Sequence, residues 1–433
     1  MIIVNDSVPG MITARRPTRL HLLTAAPALL AVAALTACAS PSGGAATTAD
    51  ETSDTASSSS AEREVATTRI VATYDGGVLV LEGDSLEVVA DLPLEGFLRV
   101  NPAGDGRRVL VSTDDAFEVL DTGVRVEPHG DHDHYYAVEP QLTGLSLPAE
   151  HPGHVTTNAG TTALFADGTG EALLYEEGAL RNADEPDDVD ATRYESAEAH
   201  HGVVVPVTGG GLLATLGDES ARTGAAALDA VGGELARTDA CPGVHGAAVA
   251  ADEAVVLGCE DGAIVWSGGA FAKVQAPDAH GRIGNQAGSA ESTIVLGDYK
   301  VDPDADLERP TRVSLIDTTT ATLRLVDLGT SYTFRSLARG PHGEALVLGT
   351  DGAIHVLDPV TGELVERIDV VDAWTEPVEW QQPRPAIEVH GHRAYVTDPA
   401  ASALHLIDLD TGEVTASVEL PHVPNELSSV GGH

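Results

Sequence analysis

One plan recurs from residue 68 onward: an apolar run, a turn of Gly, Asp or Asn, then a second run in which apolar and polar residues alternate. "GVLVLEGDSLEVVADL", "RRVLVSTDDAFEVLDTG", "EAVVLGCEDGAIVWSGG", "GEALVLGTDGAIHVLDPVTGELVERIDV" and "HRAYVTDPAASALHLIDLDTGEVTASVEL" all follow it. Short runs bounded by turn residues in this way are strands joined by hairpins, and no stretch carries sustained helical spacing. The units recur about every 40 to 50 residues, the spacing of a four-stranded propeller blade. Anchors fall near Phe97, His154, His201, His245, His280, Phe334 and Ala386. The expected fold is all-β: a single β-propeller of about eight four-stranded blades, with seven as the alternative. Residues 69–92 form a unit without an innermost strand. "PNELSSV" (424–430) is expected to supply that strand and close the ring.

The N-terminus has a different character. "RRPTR" (15–19) is a positive segment, residues 20–35 are apolar and alanine-rich, and "LTAC" ends at Cys38. A basic stretch, a short apolar stretch and a small-residue cleavage site make an export signal. Leu, a small residue, Ala and Cys form a bacterial lipobox, with a plain cleaved signal as the alternative. Residues 1–37 are therefore read as a lipoprotein signal peptide and Cys38 as the lipidated residue. Residues 38–67 are read as a flexible tether, since their Ser/Thr/Ala/Gly composition buries too little apolar surface to fold. The propeller then spans 68–433. The expected location is the outer side of the cytoplasmic membrane, held there by lipid.

Two cysteines remain, Cys241 and Cys259. In an exported chain an even pair is most simply a disulfide, and a pair of thiolate metal ligands is the rival reading. The chain carries 67 acidic against 24 basic residues, a formal charge of −43. Such a surface repels nucleic acid, which needs basic stripes to displace counterions, and it concentrates cations.

The histidines are not scattered. "EPHGDHDHYY" (127–136) packs His129, His132 and His134 together with Asp131 and Asp133. On an extended chain His132 and His134 point to one side, and His129 can fold back across Gly130. His154, His201, His245 and His280 each sit at or just before the expected first strand of a blade, three of them followed by glycine. First strands line the channel and enter from one rim, so these four, with His422, are expected to ring that rim. The 127–136 loop is expected to overhang the same rim as a mobile second site. Imidazoles suit zinc, nickel and copper(II), and only neutral ones bind, so affinity is expected to fall below about pH 6.5.

"HGDHDHYY", "HPGH", "AHHG", "CPGVHG" with its later Cys, and "DAHGRIGNQ", on a propeller behind an export signal, resemble the AztD-type zinc metallochaperones. The resemblance covers the chain from about Arg69 to its end. It implies an extracytoplasmic protein that delivers zinc to the solute-binding protein of an ABC importer; the chain is further expected to be a monomer that binds one or two Zn2+. It carries metal binding onto the matching histidines, His129, His132, His134, His154, His201, His245 and His280. Two other readings compete. One is an interaction platform without metal transfer. The other is a metal-dependent hydrolase, for which Glu198 or Asp278 would be the base; no G-x-S-x-G, H-E-x-x-H or similar motif supports an enzyme.

Overall fold

The computed structural model describes residues 61–431. The expected signal peptide, Cys38 and residues 38–60 of the expected tether lie outside the described residues. Within them the strands assemble into eight four-stranded blades in chain order. Blade 1 is Thr68–Tyr74, Gly77–Glu82 and Val88–Pro93, with Leu427–Gly431 as its innermost strand. Thr68 pairs with Gly431 and Ala72 with Leu427, so the ring is closed by the C-terminal strand. Blade 2 is Arg99–Pro102, Arg108–Ser112, Ala116–Asp121 and Gln141–Pro148. The innermost strands of blades 3 to 8 are Pro152–Asn158, Val204–Val207, His245–Val249, Gln286–Ala287, Leu337–Arg339 and Ile387–His390. No helix among the described residues is long and apolar enough to cross a membrane.

Each apolar run owes its continuity to this geometry. Successive side chains of a strand point to opposite faces of its sheet, and a blade has a neighbour on both faces. In Gly77–Glu82, Leu79 and Leu81 pack with Tyr395, Leu404 and Leu406 of blade 8. Val78 and Val80 of the same strand pack with Val100, Val109 and Val111 of blade 2. Middle strands therefore read as unbroken hydrophobic runs, whereas an outer strand such as Glu413–Glu419 is largely exposed and alternates. Apolar clusters fill every seam between neighbouring blades. Leu81 is fully buried at the seam that joins the two ends of the ring. Leu81→Ala is expected to cost about 2–5 kcal/mol, read as a lower denaturation midpoint with unchanged steepness.

Strand direction assigns the loops to two rims. An innermost strand starts at one rim, here the entry rim. The chain reaches the far rim after the first and third strands and is back at the entry rim after the second and fourth. The histidine-rich segment is inserted after the third strand of blade 2. It forms a hairpin, Val124–His129 against His132–Ala137, and Ala61–Arg63 adds a third strand at its edge. The end of the expected tether is thus a strand. The hairpin shares a hollow with Gly104, Asp105 and Gly106 of the first turn of blade 2 and with Gly431 at the end of the closing strand. Those are far-rim residues. The hairpin does not overhang the rim at which the blade histidines enter; three strands of travel carry it to the opposite side.

Candidate metal centre

His154, His201 and His245 come from the entries of three consecutive blades and meet at the entry rim. One ligand atom from each lies within 4.8 Å of the others, and the ring centroids are 4.9, 5.2 and 4.9 Å apart. Local backbone irregularity aims two of them. The pairing register shifts between Pro152 and Val155, around His154, and again between His245 and Ala247. Such bulges re-aim side chains at sites. At the second bulge Gly246 has φ +67°, and a Cβ there would meet Gln286 Oε1 at 2.5 Å and the Gly284 carbonyl at 2.9 Å. That is why glycine follows His245. Glycine follows His201 for a different reason: a Cβ on Gly202 would strike the Phe165 ring at 2.5 Å.

Hydrogen bonds fix the tautomers. His245 Nδ1 lies 2.6 Å from the Gly284 carbonyl oxygen. A carbonyl can only accept, so Nδ1 carries the proton and Nε2 presents its lone pair. His201 Nδ1 likewise donates to Asp167 Oδ2 at 2.5 Å. The two Nε2 atoms then face each other at 3.0 Å. Two lone pairs at that distance repel unless a cation lies between them. The separation is close to the roughly 3.3 Å edge between ligands of a tetrahedral zinc with Zn–N of about 2.0–2.1 Å. The third ring supplies the complementary sign: His154 Nε2 is buried and has no hydrogen-bond partner, a costly state for a polar atom unless something fills it. Carboxylate-to-histidine and carbonyl-to-histidine bonds of this kind orient metal-bound imidazoles elsewhere.

Burial disfavours protonation of His154 and His245. It pushes His154 well below the ordinary histidine value, and the charges of His245 and His201 add to the effect. Burial lowers His245 to about 3, against the opposing pull of the Gly284 carbonyl. Two consequences follow with definite sign. Between about pH 3 and 6.5 the unfolded chain binds protons that the folded His245 does not, so stability falls as pH falls through that window. Zinc meets no proton to displace at these two donors near neutrality. Protonation of these two donors therefore does not oppose zinc between pH 7.5 and 5, and affinity at this centre is expected to fall less steeply over that range than at a site of exposed histidines. Equilibrium dialysis against Zn2+ from pH 7.5 to 5 measures it; a fall as steep as at a site of exposed histidines would contradict the assignment.

The neighbouring elements hold the site rigid. Cys241 and Cys259 form a disulfide with Cα atoms 5.0 Å apart, anchoring the segment that leads into His245. The Gly284 carbonyl is held in turn by Asp298, whose Oδ1 accepts from the amides of Gly284 and Asn285 at 2.6 and 3.0 Å. A hollow of about 660 Å3 lined by His201, Arg222 and Glu260 opens beside the histidines and gives access from solvent. Asp167 and Asp298 carried no signal in the sequence, because nothing local marks a carboxylate that acts through a neighbouring blade.

Other expected residues lie elsewhere. His280 lines a separate hollow with Glu260, Arg282 and Lys300; its blade's innermost strand begins only at Gln286, so His280 stays on the approach loop. His422 stacks on Tyr74 at 3.9 Å and bonds Asp91 at 3.0 Å. His200, adjacent to His201, is buried between the Glu198 carbonyl and Thr215 Oγ1, at 2.9 and 3.1 Å. Asp278, a base in the hydrolase reading, accepts from Tyr299 Oη at 2.9 Å and Arg312 at 3.4 Å. The hairpin gathers its three histidines as a second cluster, with ring centroids 5.4, 5.3 and 4.9 Å apart. His129 pairs directly across the turn with His132, Gly130 turns with φ +68°, and His134 Nδ1 lies 2.6 Å from Glu62 Oε1.

No family model matches the chain. Over 389 residues, 86% of this chain and 88% of the relative, it is 26% identical to a curated protein of Citrobacter koseri. The chain is similar to the zinc chaperone AztD. The crystal structure of C. koseri AztD superposes with a TM-score of 0.72 at 24% identity, covering 85% of this chain and 99% of that one. The apo form of AztD gives a TM-score of 0.72 at 23% identity. The dihydro-heme d1 dehydrogenase NirN shares the fold more distantly, with a TM-score of 0.52 at 14% identity. The similarity to AztD thus covers most of the chain in both sequence and fold.

Proposed function

We propose that this chain is a zinc chaperone. It holds Zn2+ on His154, His201 and His245 at the entry rim and surrenders it to an acceptor protein outside the cytoplasmic membrane. The observation that carries the reading is the facing pair of proton-free Nε2 atoms beside the buried, unpartnered Nε2 of His154. Three imidazoles leave the fourth zinc position open. An incoming ligand from an acceptor can enter there, and the ion can pass by exchange of one ligand at a time. The zinc chaperone AztD supports zinc over other borderline metals.

The finer reading follows from the sequence. The acceptor is the zinc-specific solute-binding protein of an ABC importer, and Cys38 ties the propeller to the membrane through lipid. His129, His132 and His134 form a second, separate zinc site on the far rim, so the chain takes up to two Zn2+ in this scheme. Because the two sites lie on opposite rims, the hairpin does not hand its ion directly to the entry-rim centre. The scheme assigns no catalytic role.

The test is elemental analysis of the purified chain, followed by transfer of 65Zn to a candidate solute-binding protein, compared with transfer from free Zn2+ at equal concentration. Tight zinc on the chain with faster transfer than from solution is the expected result. Absence of tight zinc in the wild-type chain would remove the proposal.

A further inference from the structure

A third cluster of donors lies on the far rim, distinct from both groups of histidines described above. His342 stands in the first turn of blade 7, His392 in the first turn of blade 8, and Asp410 in the turn between that blade's last two strands. One ligand atom from each lies within 4.8 Å of the others, and all three residues are exposed. His392 Nδ1 is 2.9 Å from Asp410 Oδ1, and the His342 and His392 rings are 5.5 Å apart.

The backbone beneath these side chains is fixed. The Leu409 amide donates to the His392 carbonyl at 2.9 Å, tying the two turns of blade 8 together. Asp408 Oδ1 accepts from the amides of Asp410 and Thr411 at 3.0 and 2.9 Å, locking the turn that presents Asp410. In blade 7 the Gly343 amide donates to the Gly340 carbonyl, and the Gly340 amide to the Glu344 carbonyl, both at 3.0 Å. The donors therefore stay together through the fold, and side-chain rotation alone closes them on an ion.

We propose that His342, His392 and Asp410 form an open, exchangeable site for a borderline divalent metal ion such as Zn2+, Co2+ or Ni2+. Two imidazoles and a carboxylate are ligands these ions accept. The 2.9 Å contact between His392 Nδ1 and Asp410 Oδ1 is a hydrogen bond in the absence of an ion; a bound ion would replace the shared proton, and the two atoms would open to the roughly 3.3 Å ligand edge of a tetrahedral site with bonds near 2.0–2.1 Å. Three exposed ligands leave a position to water, so the ion exchanges with solvent, and the site is weaker than the entry-rim centre with its buried His154 donor. On a surface of net charge −43 the local cation concentration exceeds that of bulk, which suits a weak collecting site.

The test uses the full chain. Co2+ is titrated into a background variant, His129→Ala, His132→Ala, His134→Ala, His201→Ala and His245→Ala, with and without His342→Ala and His392→Ala. Binding of one Co2+ per chain in the background, and its loss on adding the last two substitutions, is the expected result. Equal Co2+ binding with and without them would overturn the site. A second measurement needs no variant: Zn2+ should protect His342 and His392 of the wild-type chain from diethylpyrocarbonate, and equal modification rates with and without Zn2+ would also overturn it. The entry-rim reading is judged separately, by whether His201→Ala with His245→Ala alone removes the tight zinc class.

Discussion

Replacing His201 and His245 together by alanine is expected to lower zinc affinity at the entry rim by at least ~100-fold. Loss of a single group that merely orients a metal ligand typically costs about 10–100-fold, and this variant removes two ligands outright. The facing Nε2 pair, 3.0 Å apart, disappears, and His154 alone cannot hold the ion against water. Asp167→Asn leaves the three donors in place but weakens the acceptor that holds the His201 Nδ1 proton, and it is expected to fall in the 10–100-fold range. His280→Ala and His422→Ala serve as controls and should leave the tight class unchanged, because neither belongs to the group of donors that meets at the entry rim. Isothermal titration with Zn2+ under competition from a chelator reads all four. A double variant with wild-type affinity would show that the entry-rim trio does not hold the metal.

Removing residues 427–431 is expected to abolish the closed ring. Their strand supplies the innermost position of blade 1, pairing with Thr68–Tyr74 along its length. Val430 belongs to the core between blades 1 and 2, and Leu427 packs against the core between blades 8 and 1. Without them the apolar channel side of blade 1 and an unpaired strand edge face water, a template for association with other chains. The truncated chain should elute as aggregates and lose its cooperative thermal transition, whereas Leu81→Ala should only shift that transition. A monomeric, cooperatively melting truncation would mean that the seam contributes little.

The repeat, the blade pattern and the closing strand could be read in the sequence, because each depends on local alternation and turn chemistry. Residues 69–92 stood out as a unit without an innermost strand, and "PNELSSV" as the segment able to supply it. The meeting of His154, His201 and His245 was legible as well, since each opens a blade. The rim of the hairpin was misjudged because the segment precedes the blade that His154 opens, whereas a loop after a third strand stands at the rim opposite the strand entries, with a fourth strand still to run back. His280 matched the "H-G" pattern but precedes a blade whose first strand starts late, at Gln286, and sequence spacing does not reveal such a delay. The bulges at His154 and His245, and the support from Asp167 and Asp298, arise from contacts between distant segments and leave no local trace.

Adjacent residues of a middle strand serve different seams: Leu79 fills the wedge toward blade 8 and Val80 the wedge toward blade 2. Exchanging bulk between two such positions would thicken one wedge and thin the next while conserving total volume. In a closed circle that adjustment cannot dissipate at a free end, so it reappears as altered angles between blades. The spacing of donors contributed by successive blades is therefore open to adjustment by hydrophobic substitutions that never touch the ion.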